Sequence, residues 1–115
     1  MYGAIIDASS NNIPTTFDET AGSLIASSLP AGVRIAFVNT TESVLAFSVA
    51  DYSAAPSSVI GTNRNQGYIP AAPTGGTASI VLDGIVVSNG GRIYVRSDTG
   101  SAVTAGELRV MIWGV

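Results

Sequence analysis

The chain has 115 residues, 46% of them hydrophobic and only 11% charged, with eight acidic residues against five cationic ones for a net charge of −3. That length sets a single domain around a single core, and the hydrophobic content excludes a disordered chain, which combines low hydrophobicity with high net charge. All the cations are arginines, Arg34, Arg64, Arg92, Arg96 and Arg109, too few for the basic footprint that a phosphate backbone requires, so no nucleic-acid partner is expected.

The first 32 residues admit two readings. Thr16 followed by Glu19 matches a capping box, and Ala21, Leu24, Ile25 and Leu29 would form one helical face ending at Pro30. Gly22 and the serines oppose a helix, and an extended N-terminal arm with a short strand at "SLIASSL" is the alternative. In either case residues 1–32 are expected to pack, as arm or short helix, on a β-sandwich formed by 33–115.

From Val33 onward the hydrophobic period is two, which predicts half-buried strands. Val33, Ile35 and Phe37 share one face of "VRIAFVN", and Leu45, Phe47 and Val49 share one face of "VLAFSVAD". The polar link "NTTES" predicts a hairpin that sets Phe37 against Leu45, Ile35 against Phe47 and Val33 against Val49. Asn39 also begins a glycosylation sequon, but without a secretory signal the turn reading is preferred.

The stretch from Tyr52 to Ala78 is rich in Pro, Gly, Ser and Asn and reads as loop, with a short strand at "VIG" or "GYIP". Loops this long inside compact domains are usually functional or ordered by a partner. "ASIVLDGIVV" supplies strand residues broken by a turn or bulge at Asp83-Gly84, "SNGG" a tight turn, and "RIYVR" another strand. "SDTGSAVTAG" then leads into the closing strand "ELRVMIWGV". Many short strands with Gly and Pro turns predict an all-β fold, an antiparallel β-sandwich that is jelly-roll-like.

Little catalytic chemistry is available. With no His, Cys or Lys in the chain, triads, Ser-Lys pairs, Schiff bases and thiolate or imidazole metal sites are excluded. Asp98-Thr99-Gly100 matches the triplet of aspartic proteases, but it follows Arg96-Ser97 instead of an apolar strand and leaves few residues for a second motif. Asp and Gly in that place are ordinary turn residues. Among the other acids, Asp18, Glu19, Asp51, Asp83 and Glu107 are candidates for a carboxylate pair or a cation site, but the acids are scattered and follow no cation-binding loop pattern. No catalytic residue, cofactor or metal is therefore expected, and the chain is read as a non-enzyme. Its start, "MYGAIIDASS", lacks the form of a secretory signal, and no run reaches the roughly 20 apolar residues of a membrane helix, so no membrane partner is expected.

One constellation remains. Arg92, Tyr94 and Arg96 alternate with Ile93 and Val95, while Arg109, Met111 and Trp113 alternate with Leu108, Val110 and Ile112. Paired as a hairpin, the two strands would set Arg96 opposite Arg109, Tyr94 opposite Met111 and Arg92 opposite Trp113. Arg, Tyr, Trp and Met are the types enriched at protein interfaces, and these six residues are the interface candidates. The competing reading is a second core layer with the arginines reaching outward.

The segments "VRIAFVNTTESVLAFSVA", "GYIPAAPTGGTASIVLDG" and "GGRIYVRSDTGSAVTAGELRVMIWGV" together resemble a loosely defined group of small virion proteins of tailed bacteriophages. The resemblance covers roughly residues 33–115 and is one of pattern. It implies a non-enzymatic β-sandwich decoration or cement protein on the outer capsid surface, made in the host cytoplasm, with the major capsid protein as partner and a homo-oligomeric state, trimer or dimer. A head-tail or tail component, or a carbohydrate-binding sandwich that stacks sugars on Tyr52, Tyr68, Tyr94 or Trp113, is the alternative.

Overall fold

A computed structural model describes residues 3–7, 12–30, 32–50, 55–56, 65–82, 90–103 and 108–114. They form eight strands: β1 (Gly3–Asp7), β2 (Leu24–Leu29), β3 (Val33–Asn39), β4 (Leu45–Ala50), β5 (Gln66–Ile69), β6 (Ala78–Leu82), β7 (Gly91–Ser97) and β8 (Leu108–Gly114). Two four-stranded antiparallel sheets result, one in the order β1-β8-β3-β6 and the other β2-β7-β4-β5. Eight strands distributed between two sheets in this order make the double Greek key of a jelly roll. The expected all-β antiparallel sandwich is thus found.

The alternation in each strand decides which side is buried. Val33, Ile35 and Phe37 of β3 and Leu108, Val110 and Ile112 of β8 point inward from one sheet. Leu45, Phe47 and Val49 of β4, Ile93 and Val95 of β7, and Ile69 of β5 meet them from the other. Each fully buried side chain of this kind contributes about 1.5–3 kcal/mol.

The predicted β3–β4 hairpin does not form. β3 pairs with β8 and β6, and β4 with β7 and β5, so the two strands belong to opposite sheets. Phe37 and Phe47 do meet, but across the core, with ring centroids 5.3 Å apart. Alternation specifies the buried face equally well for an in-plane neighbour and for one across the sandwich. The link Thr40–Val44, at up to about 3.3 Å per residue, is long enough to cross the roughly 10 Å between packed sheets. Asn39 fixes this corner from within: its Nδ2 donates to the carbonyls of Ser43 and Pro70, both at 2.9 Å, and its Oδ1 accepts from Thr41 N at 2.9 Å. Fully buried, this side chain is a turn residue and is out of reach of a modifying enzyme in the folded protein.

The first 32 residues enter both sheets. β1 forms an edge against β8, and β2 an edge against β7. Of the two readings of this region, the strand at "SLIASSL" is the one found. A single turn does start there, because Asp18 Oδ1 accepts from Thr20 N at 2.9 Å and Leu24 N donates to Thr20 O at 2.8 Å. It ends at Ser23, whose Oγ donates to Val95 O at 2.8 Å and thereby ties the chain to β7 as a strand. The "VIG" segment, Asp83-Gly84 and Tyr52 lie outside the described residues.

Candidate interaction face

β7 and β8 are not a hairpin either: β7 lies between β2 and β4, and β8 between β1 and β3. The pairing expected of Arg92, Tyr94 and Arg96 with Trp113, Met111 and Arg109 is therefore replaced by a division. The first three occupy the outer side of β2-β7-β4-β5, and the last three the outer side of the opposite sheet. As with β3 and β4, matched alternation told which side of each strand faces outward and left the neighbour undetermined.

The outer side of β2-β7-β4-β5 is covered over β7 and β4 by the protein's own chain, while Tyr68 of β5, beside Ala46, stays exposed. Residues 12–23 run across it as a strap. At one end Ile13 forms a β-bridge with Val103, through two hydrogen bonds of 2.9 Å. Ser97 N donates to Pro14 O at 2.8 Å. In the middle Phe17 is buried beside Ala46 and Tyr94, and the Arg96 guanidinium carbon sits 5.4 Å from the centre of its ring. At the other end Tyr94 Oη donates to Glu19 Oε1 and Arg92 Nη1 donates to both Glu19 Oε2 and Tyr94 Oη, each at 3.0 Å.

Burial under this strap raises the Tyr94 phenol above its ordinary value of 10.0, partly offset by the hydrogen bond from Arg92. Arg96 is paired with Asp98 Oδ1 at 2.8 Å, and its Nε has no hydrogen-bond partner. These three side chains hold the strap to the sheet. Their interface-type chemistry is met inside the molecule.

The outer side of β1-β8-β3-β6 is built differently. Register aligns three rows across the strands. Trp113 stands beside Arg34, Met111 beside Ala36 and then Val81, and Arg109 beside Val38 and then Ser79. The middle row is wholly apolar. Val81 is 57% exposed, Met111 and Trp113 are half-buried, and Arg109 is exposed. Ala36 is buried between its bulkier row neighbours. On β1 the register adds Gly3 to the Trp113 row, Ile5 to the Met111 row and Asp7 to the Arg109 row, so the face consists of an apolar row flanked by one row carrying Arg34 and one carrying Arg109 and Asp7.

Val81, Ala36 and Arg34 were not legible as members of this face, because a residue's row follows from strand order. Their only sequence signal is position: each alternates with inward-pointing residues on its own strand.

The acidic side chains that are described serve loops and turns. Asp18 accepts from Thr16, Thr20 and the Thr20 amide, Glu19 holds Arg92 and Tyr94, Glu42 accepts from Thr74, and Asp98 holds Arg96. Gly100, with φ 78°, makes "SDTGS" the expected turn. Tyr94, as a fully buried residue, offers no platform for a sugar, whereas Tyr68 on β5 is 49% exposed. No family model and no curated protein matches the chain.

Proposed function

We propose that this chain is a non-enzymatic structural protein of a bacteriophage virion, a decoration or cement protein that binds the outer capsid surface and stabilises the head. The observation that carries the reading is the asymmetry of the two outer faces. One is covered over β7 and β4 by the strap at Phe17 and Glu19, with Tyr68 left exposed on β5, while the other keeps the row Val81, Ala36 and Met111 flanked by Trp113 and the arginines. An apolar centre with aromatic and arginine neighbours is the composition of an interface core.

The low charge density of the chain and the use of jelly rolls as building blocks of viral shells support the same reading. On a shell, weak contacts are multiplied by symmetry.

Co-sedimentation with empty capsids of the phage that encodes the chain tests it: saturable binding is expected, and a folded protein left wholly in the supernatant would refute it. Exposed Tyr68 favours one second reading, a carbohydrate-binding sandwich. That reading requires the isolated protein to bind sugars saturably and to lose this binding on Tyr68→Ala.

A further inference from the structure

We infer that the outer β1-β8-β3-β6 face, with Val81 exposed on it, is occupied by a second copy of the same chain, related by a two-fold axis that runs across the strands along the row Met111, Ala36 and Val81. The inference rests on the reading of that face as a contact surface, and it leaves the loops at the two ends of the sandwich for other partners.

The arrangement of the three rows argues for it. An axis lying in the interface along the middle row reverses the strand direction and keeps each strand over its own counterpart. Every residue of the middle row then faces itself, so Met111 meets Met111, Ala36 meets Ala36 and Val81 meets Val81. All three are apolar and suit a dry centre. The outer rows exchange places.

On β8, Trp113 and Arg109 are two residues to either side of Met111, so Trp113 of one copy lies over Arg109 of the other, twice. An arginine over an indole face is a favourable cation–π pair. On β3, Arg34 falls opposite Val38 of the second copy, and on β1 the position of Gly3 falls opposite that of Asp7. No arginine meets an arginine. The face is therefore complementary to itself, as an isologous interface demands.

Size permits the same conclusion. Four strands about 4.8 Å apart, rising about 3.3 Å per residue over five to seven residues, give a face of roughly 20 by 20 Å. With the relief of its side chains, covering two such faces removes on the order of 1,000 Å², the lower bound for a specific interface. The dimer is thus expected to be concentration-dependent.

Sedimentation velocity over a dilution series of the full chain tests the inference. A monomer–dimer equilibrium is expected at micromolar concentrations. Val81→Arg would set two cations against each other on the axis and shift that equilibrium at least tenfold toward monomer, with an unchanged circular dichroism spectrum because Val81 is exposed.

The chain has no cysteine, so Val81→Cys places a single thiol on the axis. A short bifunctional thiol reagent is expected to link it to its counterpart, while Ser79→Cys, off the axis, links far less. A wild-type chain that stays monomeric throughout, or a dimer that neither Val81→Arg nor the Val81→Cys cross-link detects, would overturn the assignment. Capsid binding by a strict monomer would refute this dimer alone, and a dimer that ignores capsids would refute the decoration reading alone.

Discussion

The rings of Phe37 and Phe47 stack across the sandwich, centroids 5.3 Å apart and planes inclined by 30°, and join the middle of β3 in one sheet to the middle of β4 in the other. Gly67, opposite Phe47 on β5, leaves room for the edge of the second ring: a Cβ there would lie 3.0 Å from Phe47 Cε2 and Cζ. Phe37→Ala should cost about 3–5 kcal/mol, the range for truncating a buried aromatic side chain. Gly67→Ala should cost about 1–3 kcal/mol through overpacking, and less in a Phe47→Leu background, where the obstructing ring edge is gone. Urea unfolding of the four members of that double-mutant cycle measures the coupling.

The strap yields a second prediction. Ser23 is buried, and its Oγ accepts from Asp18 N at 3.0 Å and donates toward Val95 O at 2.8 Å. Ser23→Ala leaves these groups unsatisfied, for a loss of about 1–3 kcal/mol. Phe17→Ala removes the side chain that lies between Arg96 and Tyr94 and should free the strap before the sheets unfold. Hydrogen exchange reads the difference: in Phe17→Ala the amides of Val95 and Ser97, which bond to Ser23 O and Pro14 O, should lose protection, while those of β3 and β8 keep theirs.

Acid should loosen the same strap at its Asp18 turn. The Thr20 hydroxyl, with the Thr20 amide and the Thr16 hydroxyl, holds the Asp18 carboxyl below its ordinary 3.8, against an opposing effect of burial. A carboxyl whose folded value is depressed contributes stability that is fully present above the unfolded value and disappears as pH falls through the folded one. The contribution of Asp18 is therefore constant above about pH 5 and declines below 3.8. Thr20→Val removes the hydroxyl that matters most, so the variant should be less stable than the wild type by a margin that is full above about pH 5 and shrinks as pH falls below 3.8. Urea unfolding at a series of pH values measures the margin, and a margin that stays the same from neutrality down through acid would contradict the assignment.

The fourth prediction separates assembly from folding. Trp113 is half-buried on the outer side of β8, beside Arg34, and lies outside the main core cluster. Trp113→Ala should shift the monomer–dimer equilibrium at least tenfold toward monomer, lower capsid binding through the lost second point of attachment, and change unfolding free energy by less than the roughly 3–5 kcal/mol of a buried aromatic truncation. A variant that loses stability on that scale while still decorating capsids would place Trp113 in the fold instead of the interface.

The fold class was legible because period-two alternation in "VRIAFVN", "VLAFSVA", "RIYVR" and "LRVMIWG" is a local signal that follows from which side of a strand is dry. Strand order was not legible. Phe37 and Phe47 were correctly read as core-facing but wrongly set on one face of a hairpin, because the neighbour of each strand depends on whether the link between them turns in the plane of a sheet or crosses the core. The same ambiguity placed Arg96 opposite Arg109, although the two are on opposite outer faces. The strap was missed for another reason: Phe17 and Glu19 act through contacts with Arg96, Arg92 and Tyr94, more than seventy positions away, and nothing in "TTFDETAGS" announces them.

The most direct test of a cement role is mechanical. Heads of the encoding phage, packed with DNA but prepared without this protein, should release DNA at a lower temperature than complete heads. Adding the purified chain back should restore the higher temperature, and Trp113→Ala should restore it only at much higher concentration. Heads that release DNA at the same temperature with and without saturating protein would contradict the account.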